Sequence, residues 1–133
     1  MIAEKDIKMM QTAYGILFEV ENCMRIYIRD KMEECYGIHW FHRAPRIVLK
    51  RPPKKSFGDL LFSDYATYFR NYPDAFKNLP SDFFVKLQEL YPLRNKIAHN
   101  HLLSESKFEL LEQNSTFLIN SMTNKHQRLL VTS

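Results

Sequence analysis

Glycine is almost missing from this chain, with 3 among 133 residues. So few sites for tight turns argue against a sandwich of many short strands. Cysteine is scarcer still, at 2. Cys23 and Cys35 lie twelve positions apart in a segment read as one helix. At about 1.5 Å of rise per residue they stand roughly 18 Å from each other, far beyond disulfide reach. Nothing approaches the roughly 18 consecutive apolar residues of a membrane span. The first ten residues include Glu4, Lys5, Asp6 and Lys8, so they form no signal-peptide core. These absences point to a cytoplasmic chain with unpaired thiols and no membrane contact. Extremes of composition are lacking too: 45% apolar and 26% charged residues exclude a disordered, collagenous or rod-like chain. The length suits one domain over residues 1–133, burying about two-thirds of its extended surface without a metal or disulfide staple.

Apolar spacing then points to helices. Ile7, Met10, Tyr14, Leu17, Met24 and Ile28 recur in steps of three and four apart from one gap, beside a parallel row of Ala13, Ile16, Val20, Cys23 and Tyr27. This predicts one long helix from about Ala3 to Tyr36, stopped by Gly37. An irregular stretch with Pro45, Pro52 and Pro53 follows from Ile38 to Lys55. Ser56, with Asp59 as a capping partner, opens a second helix carrying Phe57, Leu61, Tyr65, Tyr68 and Phe69. Ser81 or Asp82 caps a third, which runs through Phe83, Leu87, Leu90 and Leu93 to about His99. A kink is expected at Pro92, and Asn100 suits a left-handed stop. A fourth begins near Ser104 or Ser106 and continues through Phe108, Leu111, Leu118 and Met122 to about Lys125, before a weakly specified tail. The expectation is an all-α bundle of four main helices, with a long basic loop between the first and second.

Two charges interrupt the apolar pattern. Position 21 of the first stripe is Glu21, and the spacing 83, 87, 90, 94, 97 of the third helix brings in Arg94. Opposite charges on helices that pack together suggest a buried or half-buried pair, which can be a structural bridge or serve a function. Asn95 and His99 are four apart, hence neighbours on one face. An arginine fork, an amide and a histidine at a helix end are suited to handling a phosphodiester. Cys35, His39 and His42 make a cluster without a fourth ligand at zinc spacing, so packing rather than metal is the reading there.

The segment Leu93-Arg94-Asn95-Lys96-Ile97-Ala98-His99 resembles the signature of the HEPN superfamily, an arginine, a polar residue and a histidine five positions after the arginine. Glu21-Asn22-Cys23-Met24-Arg25 is similar to the Glu-x-x-x-Arg run of its abortive-infection-like members. The resemblance implies a homodimeric, metal-independent endoribonuclease whose composite site forms at the dimer axis, with no cofactor. Arg94 would stabilise charge at the scissile phosphate and His99 would transfer protons. Asn95 would orient the phosphate or the histidine, and Glu21 would hold Arg94. The 2′-oxygen attacks, so the products are a 2′,3′-cyclic phosphate and a 5′-hydroxyl. A toxin or phage-defence setting, with an antitoxin or larger effector as partner, goes with this reading. Some toxin members carry a tyrosine two positions past the histidine, where a partner enzyme modifies them. This chain has His101 there, so that control is not expected. His101 reads as a surface residue beyond the helix end or as a second imidazole near the site.

One further absence bears on partners. From His42 to Ser56 (HRAPRIVLKRPPKKS) there is no acidic residue, while Arg43, Arg46, Lys50, Arg51, Lys54 and Lys55 supply six of the chain's 19 basic residues. The remaining 13 face all 15 acidic residues, a balance of −2, so the overall +4 comes from this strip. Cations among prolines and apolar residues, beside Trp40 and Phe41, suit RNA-backbone contact with stacking; a plain solvated loop or a protein-binding segment has the same composition. Two functional alternatives remain open: a catalytically silent HEPN-like RNA- or nucleotide-binding, dimerisation or inhibitor module, and a plain helical interaction domain.

Overall fold

The structure, a computed structural model, describes residues 1–53 and 56–132, with side chains for all of these except 59 and 124–132. It is all-helical, and no strand occurs among the described residues. Five α-helices follow in order: α1 (Glu4–Tyr36), α2 (Trp40–Val48), α3 (Phe62–Asn71), α4 (Ser81–Ala98) and α5 (Glu105–Thr132). Short 3-10 turns occupy Phe57–Asp59 and Pro73–Phe76. The chain groups into two compact units, Met1–Cys23 with Pro80–Ser133, and Met24–Leu79.

Helix α1 buries Ala13, Leu17, Val20, Met24, Ile28 and Met32, a stripe that falls between the two apolar rows visible in the sequence. Ile7 and Tyr14, expected to face inward, are exposed, as is Phe18. At about 100° per residue these three lie roughly 90–130° from the centre of the Ala13–Met24 part of the stripe, so burying that face leaves them outside. Gly37, at φ +92°, ends the helix, a conformation open to a residue without a Cβ.

In the first unit α4 and α5 form an antiparallel hairpin. Helix α4 begins at Ser81 itself rather than after it: Pro80 holds the N-cap position, its carbonyl accepting the Phe83 N–H at 3.0 Å. It runs as one element through the exposed Pro92 and buries Phe83, Leu87, Leu90, Leu93 and Ile97. Ser104 caps α5, its Oγ accepting the Lys107 N–H at 3.2 Å. Asn114, fully buried on α5, donates to the Lys86 carbonyl (3.3 Å) and to Glu89 Oε1 (3.1 Å), which sets the hairpin register. Its neighbour Ser115 is buried too, and its hydroxyl has no partner among the described residues.

The second unit departs most from expectation. Half of the segment read as irregular is the nine-residue helix α2. Pro45 argues against a helix locally, but Trp40 and Ala44 bury one face of it, and that packing outweighs the lost ladder bond. The second long helix starts at Phe62 rather than Ser56, because Leu60 is extended (φ −74°, ψ 151°) and Asp64 Oδ2 accepts the Leu61 N–H at 3.0 Å. The expected Asp59 cap concerns a side chain outside the described residues. Edge-on aromatic pairs fill the unit: Trp40 meets Phe57 at 5.1 Å and Tyr68 at 6.1 Å between ring centroids. The Tyr65 hydroxyl donates to the Phe57 carbonyl at 2.7 Å and accepts from Arg25 Nε at 3.0 Å.

Replacing Asn114 by Ala should lower unfolding stability in urea by about 2 kcal/mol. Asn114→Asp, which sets a buried carboxylate against Glu89, should cost about 3 kcal/mol or more. Ser115→Ala should be neutral or stabilising. Burial pushes the phenols of Tyr27 and Tyr36 up from 10.0 to about 12 and that of Tyr68 further. The unfolded chain therefore releases these protons first, and folding stability is complete below pH 10 and declines as pH rises toward 12. In a spectrophotometric titration these tyrosines should ionise together with the alkaline loss of helical circular dichroism. Their ionisation at ordinary phenol pH with helicity intact would contradict this.

Candidate functional site: the Glu21–Arg94 pair and the end of α4

The two charges that interrupt the apolar stripes meet within the first unit. Arg94 Nε lies 3.5 Å from Glu21 Oε1, with side chains 29% and 27% exposed. Arg94 follows Phe83, Leu87 and Leu90 on the stripe that α4 buries, so its side chain starts inward and reaches the margin of the core. Glu21 stands roughly 70° from the centre of the α1 stripe, at its edge. The pair therefore sits at the margin of the core, held by protein on one side and open to solvent on the other.

Past Arg94 the helix closes in a Schellman arrangement. Asn100 is left-handed (φ +61°), its N–H bonds the Ile97 carbonyl at 3.1 Å, and the His101 N–H bonds the Lys96 carbonyl at 2.8 Å. His99 is the C-cap, with its N–H on the Asn95 carbonyl at 3.1 Å. The left-handed residue turns the chain so that the exposed imidazoles of His99 and His101 lie 6.4 Å apart, centroid to centroid. Asn95 is half-buried one turn before His99. The structure thus joins Glu21 to Arg94 directly, and places His99 about one and a half turns beyond Arg94 along α4. His101 is thus both an exposed residue beyond the helix end and a second imidazole near His99, a nearness that depends on the left-handed turn at Asn100.

Arg25, the other end of the Glu-x-x-x-Arg run, belongs to the second unit, where it packs over the Tyr65 ring at 5.4 Å. In that unit also, Arg43 and Arg46 are exposed on α2, three residues apart on one face. Lys50 follows in a left-handed conformation (φ +57°), and Arg46, Lys50 and Arg51 line a shallow concavity with Pro52. Lys54 and Lys55 lie outside the described residues. Trp40, only 6% exposed, is locked in the ring cluster and cannot stack on a ligand; Phe41 is half-buried and lines an adjoining cavity. Among the described residues no three His, Cys, Asp or Glu side chains converge as a metal-binding group, and no helix is long and apolar enough to cross a membrane.

No family model, curated protein or solved structure matches this chain.

An ion pair this exposed contributes little to stability. Glu21→Gln should change the urea midpoint by no more than about 1 kcal/mol equivalent. A loss of several kcal/mol would mark the pair as part of the structural core.

Proposed function

We propose that the chain is a HEPN-type, metal-independent endoribonuclease acting as a homodimer. The observation that carries the reading is the Glu21–Arg94 pair, half-exposed on the helix that ends in the exposed His99. A carboxylate that serves only to neutralise a buried arginine needs no solvent opening. One that orients a guanidinium toward a substrate phosphate does, and a marginal pair fits that role. Unit 1 also leaves Tyr14 63% and Phe18 59% exposed on one face of α1, apolar surface suited to a second copy of the chain.

In this mechanism the RNA 2′-oxygen attacks the adjacent phosphorus and the bond from phosphorus to the 5′-oxygen breaks. The products are a 2′,3′-cyclic phosphate and a 5′-hydroxyl. Arg94 stabilises the charge gathering on the phosphoryl oxygens. His99 moves a proton, from the 2′-hydroxyl or to the departing 5′-oxygen, and two copies in a dimer can divide these tasks. Asn95 orients the phosphate or the imidazole, and Glu21 holds the guanidinium. Arg43, Arg46, Lys50, Arg51, Lys54 and Lys55 contact the RNA backbone without reading its sequence. A cytoplasmic toxin or defence role, restrained by an antitoxin or completed by a larger effector, suits an RNA-cleaving chain.

The test is end-labelled RNA incubated with the purified chain in EDTA. Wild type should cleave and leave cyclic-phosphate ends; Arg94→Ala and His99→Ala should each lose about 100-fold or more of the rate with helicity and oligomeric state unchanged. Tight RNA binding without cleavage would instead favour a silent RNA-binding module. Indifference to both substitutions, or a requirement for magnesium, would sink the ribonuclease reading.

A further inference from the structure

The second unit contains a cavity that the ribonuclease reading does not use. It lies between the end of α2, the Pro52-Pro53 segment and one face of α3. Its room is about 70 Å³, several times the roughly 10–15 Å³ that one water needs on the same measure. That is space for a single small ring system, not for a dinucleotide or a folded peptide. Phe41, Tyr68 and Tyr72 provide aromatic walls, and Asp64, Thr67 and Asn71 provide polar edges. Arg51 stands at the rim and also belongs to the shallow basic concavity with Arg46 and Lys50.

We infer that this cavity takes one unstacked RNA nucleobase bearing an exocyclic amine, with its phosphate held at the rim by Arg51, Arg46 and Lys50. The inference rests on reading the basic strip as an RNA-contacting surface. Stacking needs rigid rings, and these are braced: Tyr68 packs on Tyr72 at 5.4 Å and on Trp40 at 6.1 Å, and Phe41 on Trp40 at 5.5 Å. Three prolines, Pro45, Pro52 and Pro53, stiffen the opposite wall, so little order has to be gained on binding. The polar edge then selects the base. The Thr67 hydroxyl donates to the Asp64 carbonyl at 2.7 Å, leaving its lone pairs as acceptors. The Asp64 carboxylate is acceptor-only, with one oxygen engaged by the Leu61 N–H. Asn71 is the sole amide among these three groups. The Tyr68 and Tyr72 hydroxyls and the Arg51 guanidinium also line the cavity as donors. Asp64 and Thr67, however, set acceptors three residues apart on one face of α3, and an amine placed against that edge selects cytosine, adenine or guanine over uracil. The same carboxylate repels a phosphate inside the cavity, which puts the phosphate outside, at the cationic rim.

Trp40, the chain's single tryptophan, touches two of the lining rings and reports on the cavity through its fluorescence. The full chain is titrated with cytidine 5′-monophosphate, uridine 5′-monophosphate and ribose 5-phosphate. The cytidine nucleotide should saturate and bind about tenfold tighter than the uridine one, with ribose 5-phosphate weaker than either. Phe41→Leu should weaken both nucleotides about tenfold. Asp64→Asn keeps an acceptor for the Leu61 cap but adds a donor, and should abolish or reverse the preference. Equal binding of ribose 5-phosphate, or a preference unchanged in Asp64→Asn, overturns the inference. Binding of an uncleavable 2′-O-methyl RNA separates the two readings. If the RNA binds wild type, Phe41→Leu and Asp64→Asn alike, the base site is wrong while the RNA-contacting strip stands. If no RNA binds in any sequence, both fall.

Discussion

Arg94 occupies a position that α4 turns toward the interior, and the candidate site follows from that constraint. Phe83, Leu87, Leu90 and Ile97 share the stripe, and their burial against the rest of the unit sets the rotation of the helix. A guanidinium delivered to the margin of the core by that rotation finds its counter-charge there, at little net gain in stability. Glu21 meets it from α1. Because α1 buries the row through Ala13, Leu17, Val20 and Met24, Glu21 stands at the edge of that row, and the pair stays accessible. Had α1 buried the row through Tyr14 and Leu17 to Glu21, the carboxylate would have been enclosed and the pair purely structural.

The end of α4 obeys a different logic, one written locally. Asn100 tolerates the left-handed conformation, and two backbone bonds close the helix around it. The consequence is chemical: His99 and His101, adjacent across the turn, face solvent together. Asn114 gives the hairpin a comparable polar anchor inside the core. Its amide is satisfied from both Lys86 and Glu89, so a one-turn slip of α5 along α4 would leave a buried amide unpaired.

The second unit adds a cluster of rings to the aliphatic packing of Met24, Ile28 and Met32. Trp40, Phe57, Tyr65, Tyr68 and Tyr72 meet largely edge-on, and the Tyr65 hydroxyl ties the turn at Phe57 to Arg25 on α1. Aromatic clusters of this kind leave irregular gaps beside polar groups. The cavity between α2, α3 and the Pro52-Pro53 segment is such a gap. It sets aromatic walls and polar edges beside the cationic Arg51.

Much of this was legible in the chain as written. Scarce glycine and steps of three and four predict helices, Gly37 and Asn100 are recognisable stops, and Ser104 is one of two caps foreseen for α5. The off-pattern Glu21 and Arg94 announce themselves as a pair. What the chain did not disclose is which of two overlapping apolar rows α1 buries, since both satisfy helical spacing and only the neighbouring helices choose. Nor did it disclose α2, because Pro45 argues against a helix locally while the burial of Trp40 and Ala44 argues for one. Asn114 and Ser115 interrupt the apolar run of α5 without revealing that one is satisfied and the other is not. Local chemistry determined the helices, their ends and the charges that interrupt their stripes; tertiary packing decided helix rotation, and with it which side chains are enclosed and which remain open to solvent.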